Sequence, residues 1–220
     1  MSDESFKLFD LSRSVGFDEV ESGPPYRGTV TVRYCEDDFK DYIASLPADR
    51  REQAYLDIVG EIRYHPLKHY IGPAIMIEVQ RSADGSIRAE SLQEHLDHLK
   101  TKLARGANPS HIELPSRILI KTGWSPAENG YPYLNNCAID RLDSEGVKLV
   151  GIDTPSIDRP MPCEPANSSL FKRKGMIWLV SLDLSAFTRV QVGMLLAAPV
   201  DQGRTGPAPV RAVLVKGKGS

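Results

Sequence analysis

Four short apolar runs set the terms for the fold. Ala74 to Val79 (AIMIEV), Arg117 to Lys121 (RILIK), Val147 to Ile152 (VKLVGI) and Met176 to Leu182 (MIWLVSL) have strand length. Val147 to Ile152 is apolar on both faces, as a buried central strand must be. Between these runs lie segments with helical spacing. Ala89 to Leu103 puts Leu92, Leu96, Leu99 and Leu103 on one face, with Gly106 as a stop. Asn135 to Ser144 ends near Gly146, and Ser168 to Lys174 stops at Gly175. Upstream, Glu36 to Leu46 and Asp49 to Ile62 are helical; the latter carries Ala54, Leu56, Ile58, Val59 and Ile62 as apolar positions. Phe6 to Leu11 and the alternating, β-branched Gly28 to Cys35 are strands, as are Gln191 to Ala198 and Val210 to Val215. Gln202 to Pro209 (QGRTGPAP) reads as a surface loop between two paired strands. Alternation in the middle and strands at the end imply an α/β fold: a single domain, 1–220, whose mixed sheet is flanked by helices, with 217–220 as a disordered tail. A length of 220 residues and a hydrophobic content of 41% suit one sizeable core.

The charge excludes some partners. With 27 basic and 29 acidic side chains the net charge is −2, and no block of like charge stands out. Neither nucleic acid nor an anionic membrane is expected. No apolar run approaches the roughly 20 residues of a membrane helix, and the N-terminus (MSDESFKLFDLS) lacks a basic region followed by an apolar core. A cytoplasmic location is the expectation. Cys35, Cys137 and Cys163 are odd in number and far apart, which fits neither a disulfide framework nor a zinc knuckle.

Six segments recur in a familiar order: FDLS near the start, LKHYIGPAIMIEV at 67–79, RILIKTGW at 117–124, YPYLNNCAIDRLDSEGVKLVGIDTPSID at 131–158, WLVSLDLS at 178–185 and APVRAVLV at 208–215. Together they resemble the cyclase family, which includes kynurenine formamidases (arylformamidases), isatin hydrolases and some aromatic polyketide cyclases. GVKLVGIDTPSID is the most telling of them. The resemblance covers 67–215 well and 1–66 poorly. It implies a swivelling β/β/α-like fold and a homodimer or higher even-numbered assembly.

The resemblance also implies a divalent metal, held by a His-x-Gly-Thr-His-x-Asp-x-Pro-x-His signature. Such a metal lowers the pKa of bound water and polarises a carbonyl. This chain has no such motif. Its nearest echo is Tyr26-Arg27-Gly28-Thr29-Val30-Thr31-Val32, with Tyr26 and Val30 in the places of histidines and Val32 in that of Asp. Further along, the places of a His and a Glu fall on Ser168 or Ser169 and on Val180. A valine neither binds zinc nor moves a proton. His65 and His69 have i,i+4 spacing interrupted by Pro66, His95 and His98 belong to a charged helix, and His111 stands alone. No metal and no other cofactor is expected.

The resemblance places a pocket near the end of the 28–35 strand, the 122–133 loop and the 153–163 loop. Three groups of residues there can carry chemistry. Tyr34-Cys35-Glu36-Asp37-Asp38 is an acidic cluster after a strand. Glu36 or Asp37 is a candidate general acid or base if its pKa is raised; the alternative is a helix N-terminus that merely favours negative charge. In the loop after Ile152, Asp153 and Ser156 are candidate catalytic groups, and Asp158 and Arg159 candidate substrate ligands. The alternative is that these side chains close the turn, which Thr154-Pro155 stiffens. Tyr26, Tyr34, Trp124, Tyr131 and Tyr133 are candidate aromatic walls, or else ordinary packing. Cys163, with no histidine near it in sequence, reads as a bystander thiol.

The expected activity is a metal-independent ring-forming, dehydration or isomerisation step on a small carbonyl-rich or aromatic intermediate of secondary metabolism. Such a step needs a shaped pocket and one acid/base pair more than a hydroxide nucleophile. The alternatives are a non-catalytic binding or scaffold protein on the same fold, and a metal-dependent amide or lactam hydrolase with relocated ligands.

Overall fold

A computed structural model describes residues 6–13, 30–33, 40–64, 67–104, 114–160, 166–188, 190–199 and 206–217. The four apolar runs become four adjacent parallel strands: β3 (Ile71–Glu78), β5 (Arg117–Lys121), β7 (Leu149–Ile152) and β8 (Ile177–Val180). They form the middle of a nine-stranded mixed sheet of order β1-β11-β9-β3-β5-β7-β8-β2-β10. The outer strands β1 (Phe6–Asp10), β2 (Val30–Arg33), β9 (Gln191–Leu196), β10 (Gly206–Pro209) and β11 (Val213–Gly217) pair antiparallel.

Burial on both faces explains why the central runs are apolar throughout. On one face Ile77, Ile120, Val150 and Trp178 pack with Leu92 and Leu96 of α4 (Ala89–Ala104), Ile139 and Leu142 of α5 (Asn136–Ser144) and Phe171 of α6 (Asn167–Arg173). On the other, Met76, Leu119, Leu149 and Leu179 pack with Leu11, Leu182, Phe187, Leu195 and Leu214. The sheet curls round this second cluster: Ser12 forms a bridge with Leu182, and the Asp183 N–H donates to the Leu11 carbonyl over 2.8 Å. The edge strand β1 thereby meets the chain leaving β8. No helix among the described residues is long and apolar enough to cross a membrane.

Local signals hold where they were strong. Asn135 caps α5, its Oδ1 accepting the Ala138 N–H over 2.8 Å, and Gly146 ends the helix at a φ of 76°. Two readings need correction. Gly206–Pro209 is not simply loop, because it pairs with β2 at the sheet edge, where prolines lose no ladder bond. Nor does the tail begin at 217: Lys216 and Gly217 pair with Lys7 and Phe6. The two upstream helices read at 36–46 and 49–62 are α1 (Lys40–Ser45) and α2 (Ala48–Tyr64). No signal in the sequence pointed to the single turn α3 (Leu67–Tyr70), or to the two-residue parallel pair β4 (Ser86–Ile87) and β6 (Tyr133–Leu134).

A buried arginine fixes the entry to β3. Arg117 is 7% exposed, and its guanidinium donates to the carbonyls of His69 (2.8 Å), Pro73 (3.3 Å) and Lys68. Gly72 lies against it at a φ of 149°, and a Cβ there would come within 2.5 Å of Arg117 Nη1. The guanidinium cannot swing away without abandoning the three carbonyls it donates to. Gly72→Ala is therefore expected to cost about 3 kcal/mol, from backbone strain and overpacking together. Urea denaturation measures it, and a loss within error of zero would show that the guanidinium yields freely.

Candidate functional site

The carboxyl ends of β5 and β7 are stitched together by Asp153, the residue immediately after β7. It is 6% exposed. Its Oδ2 accepts the N–H groups of Thr122 (2.9 Å) and Gly123 (3.0 Å), and its Oδ1 accepts the Thr122 hydroxyl (2.7 Å). Thr122 Oγ1 in turn accepts the Trp124 N–H over 3.2 Å. Burial pushes the Asp153 carboxyl above its ordinary range, and the three donated bonds pull against that shift. Both oxygens are turned towards the 122–124 loop. Asp153 is not among the residues lining the two clefts described below; its bonds latch two strand ends together.

Further along the same loop, four of the anticipated residues come together. The Tyr131 hydroxyl hydrogen-bonds the Ser156 side chain. Ser156 Oγ accepts the Asp158 N–H over 3.0 Å, while Thr154 Oγ1 donates to the Ser156 carbonyl over 2.9 Å. Asp158 Oδ1 accepts the Ser168 N–H at the start of α6 over 2.8 Å. Burial raises the Tyr131 phenol above its ordinary 10.0, with the negative charge of Asp158 adding to the rise and the Ser156 bond opposing it. Arg159 follows, its guanidinium 5.4 Å over the Tyr133 ring.

These residues sit between two adjoining clefts. The first, about 620 Å3, is lined by Asp84, Arg88, Asn135, Cys137, Asp158 and Asn167 among others. The second, about 800 Å3, is lined by Arg81, Glu128, Gly130, Tyr131 and Pro160 among others. Tyr133, Arg159 and Asp84 line both. Trp124 supports the rim from behind: its Nε1 donates to the Gly130 carbonyl over 2.8 Å, and its ring meets Tyr131 edge-on at 6.5 Å. Glu36, Asp37, Tyr26 and Tyr34, together with Asp38, Cys35 and Cys163, lie outside the described residues.

Several lining residues had no signal in the sequence. Arg88 and Asp84 (3.6 Å apart) flank the short strand β4, and nothing in its two residues announced a strand. Asn167 is buried, its amide donating to the carbonyls of Leu134 (2.7 Å) and Ile157 (2.6 Å). It holds the 153–160 loop against β6. The one available clue was its position beside Ser168, where the resemblance puts a histidine.

Those same positions test whether a divalent metal fits. Val30 and Val180, in the places of a ligand histidine and a glutamate, are direct cross-strand partners in the β2–β8 ladder. Neither residue type offers a donor atom. Val180 is 5% exposed within the helix-side core. Among the described residues no group of three or more His, Cys, Asp or Glu side chains could hold a metal ion. His95 and His98 are spread along α4, half-buried and exposed respectively. Among the described residues, those at the positions the resemblance assigns do not fit the metal.

Comparison with known proteins agrees with the fold. The family model described as Putative cyclase matches residues 44–159. A kynurenine formamidase of Salinibacter ruber is 29% identical, over 94% of this chain and 96% of its own. One of Paracidovorax citrulli is 31% identical, over 71% of this chain and 67% of its own. Among solved structures, isatin hydrolase A from Labrenzia aggregata, bound to benzyl benzoate, superposes with a TM-score of 0.63 at 14% identity, covering 97% of this chain and 95% of that one. A potential metal-dependent hydrolase with cyclase activity gives 0.62 at 18% identity, covering 96% and 98%. The matched segment takes in the β3–β5–β7 core together with the Asp153–Arg159 loop, and this chain belongs to the cyclase family.

Proposed function

We propose that this chain catalyses an intramolecular ring closure, with or without loss of water, on a small carbonyl-rich or aromatic molecule, and does so without a divalent metal. The observation that carries the reading is the Val30–Val180 pair, which puts two aliphatic side chains where hydrolytic relatives by resemblance hold a ligand and an acid/base group. A metal-bound hydroxide has no seat there, so hydrolysis of an amide loses its nucleophile. Ring closure needs no external nucleophile. Asp158, half-buried beside the cleft, removes a proton from carbon next to a carbonyl. The resulting enolate attacks a second carbonyl of the same molecule, forming the ring bond. The Tyr131 phenol, held protonated by burial, gives its proton to the alkoxide that develops. Arg159, exposed beside Tyr133, orients the substrate's oxygens.

A non-catalytic binding protein is the second reading. It is favoured by the commitment of both Asp153 oxygens, and of Asp158 Oδ1, to backbone and hydroxyl donors of the protein itself.

One assay separates these readings. Linear aromatic compounds bearing several carbonyls are incubated with the protein and the products weighed by mass spectrometry. Ring closure yields a product equal in mass to its substrate, or lighter by one water. Turnover is expected to be unaffected by EDTA and to fall about a hundredfold in Tyr131→Phe. No turnover, with binding visible as a thermal shift, supports the second reading. Hydrolysis of N-formylkynurenine that EDTA abolishes, or near-stoichiometric zinc or manganese in the purified protein, sinks both.

A further inference from the structure

Asn167 is 6% exposed, and both hydrogens of its amide are spent inside the protein, on the carbonyls of Leu134 (2.7 Å) and Ile157 (2.6 Å). That settles which way round the amide sits. Turned over, it would press Oδ1 against two carbonyl oxygens and leave all three acceptors without a donor. No described residue donates to Oδ1, and Asn167 lines the first cleft. What it offers there is a carbonyl oxygen held in one place, able to accept and unable to donate. A ligand lying on it is asked for a hydrogen-bond donor at that point.

Arg159, on the same cleft, makes the opposite demand. Its guanidinium lies 5.4 Å over the ring of buried Tyr133, which holds the plane of the fork while the side chain stays exposed. No carboxylate among the described residues pairs with it. The cleft's other cation, Arg88, stands 3.6 Å from Asp84, and Asp158 turns its Oδ1 to the Ser168 N–H. Asn135 opens α5 on the same wall. Its Oδ1 takes the Ala138 N–H, and the N–H groups of Asn136 and Cys137, in the first turn, have no intrahelical acceptor. With Glu90 included, two guanidiniums and three carboxylates line this cleft. A doubly charged anion meets a surplus of negative charge there, whereas a single carboxylate has Arg159 to itself.

We propose that the first cleft takes a carboxylic acid that also carries a free hydroxyl, the carboxylate lying on Arg159 and the hydroxyl donating to Asn167 Oδ1. This rests on the reading that the cleft holds the ring-closing substrate, and it narrows that substrate to hydroxy acids. A guanidinium grips a carboxylate through two parallel bonds. The acid therefore fixes the direction of the molecule, and the hydroxyl fixes its rotation about that direction. An amide of the same shape keeps the hydroxyl and loses the charge. A methyl ether keeps the charge and sets a lone pair against the lone pairs of Oδ1. The cleft thus selects against both blocked forms.

Binding is measured on the resting protein, apart from any turnover. Heavy-nitrogen-labelled chain is titrated with meta- and para-hydroxybenzoate, their methyl ethers and the corresponding hydroxybenzamides, and followed by amide NMR. Ligands of about ten heavy atoms bind in the millimolar range, so the titrations run to tens of millimolar. The N–H signals of Asn136 and Cys137 and the Asn167 side-chain amide are expected to move. The benzamides are expected to bind about tenfold more weakly than the acids, having lost a charge-assisted bond, and the ethers about fivefold more weakly, having lost a neutral one. Arg159→Gln is expected to erase the preference for acid over amide and to keep that for hydroxyl over ether. Equal affinity for acid and amide, equal affinity for hydroxyl and ether, or signals that stay still with every probe would each overturn the proposal. The comparison among probes needs no variant, so it decides even if Arg159→Gln fails to fold. A protein that binds hydroxy acids and closes no ring keeps this assignment and loses the catalytic one; ring closure on compounds without an acid group does the reverse.

Discussion

Asp153→Ala is expected to destabilise the protein by about 4 kcal/mol, since two N–H groups and a hydroxyl lose their shared acceptor at a buried site, at roughly 1–3 kcal/mol for each group left unsatisfied. For a chain of this size that lowers the melting temperature by roughly 10 °C. The loss comes from the donors left behind. Thr122 and Gly123 both aim their N–H groups at Oδ2, and no other acceptor of theirs is described. Asp153→Asn is the matched control. An amide oxygen can accept both N–H groups, and the amide nitrogen can donate to Thr122 Oγ1, which has a second lone pair beside the one engaged by Trp124. Asparagine should therefore retain most of the stability, losing about 1 kcal/mol as one hydroxyl proton goes unused. Urea denaturation of both variants separates a latch from a catalytic group. If Asp153→Asn matches the wild type in stability but loses at least tenfold in turnover per folded molecule, on the order expected for a lost acid/base group, Asp153 takes part in the chemistry. If Asp153→Ala melts with the wild type, the latch does not exist.

The sequence exposed its central strands because burial on both faces forces every position to be apolar. Leu149, Val150 and Ile152 left no alternative face to confuse with a helix. Helix ends were legible for a local reason, since Asn135 and Gly146 act through their own backbone. Asp153 was visible as a residue of interest for its place after a buried strand. Its hydrogen-bond partners were not visible, because Thr122 and Gly123 are 31 and 30 positions away in sequence and adjacent only through the parallel β5–β7 ladder. The same holds for Gly206–Pro209. Its prolines signal a turn in isolation, and only the edge position beside β2 makes a strand of them. Ser156, Asp158 and Arg159 could be read together as candidates because one stiff turn carries all three. Asn167 and Arg88 were missed because they reach the cleft from helix starts whose capping chemistry looks like any other. The Val30–Val180 relation lay between these cases. The residues were assigned separately by resemblance, and the ladder register shows that they are cross-strand partners.

A carboxylate introduced at position 180, where the resemblance puts a glutamate, should destabilise the protein. Val180 packs in the cluster that holds Val150, Ile152 and Trp178, and it is 5% exposed. A glutamate placed there would sit in a cluster of aliphatic and aromatic side chains. It must stay protonated to remain buried. Holding a carboxyl neutral at pH 7 against an ordinary value near 4.3 costs about 1.4 kcal/mol per unit, so Val180→Glu is expected to lose about 4 kcal/mol. The sign of the pH dependence follows. The folded state of the variant binds the proton more tightly than the unfolded state, so its stability relative to wild type rises as pH falls from 7 towards 4.3 and is smallest at neutral pH. At pH 5 the gap should shrink to about 1 kcal/mol. Urea denaturation at the two values, with and without zinc, measures this. A gap independent of pH would mean that the carboxylate finds a partner. A gap closed by zinc would mean that ligands stand ready around position 180, and the metal-free reading of this site would fall with it. The prediction that zinc changes nothing rests on Val30, the cross-strand partner of Val180, being a residue without a donor atom.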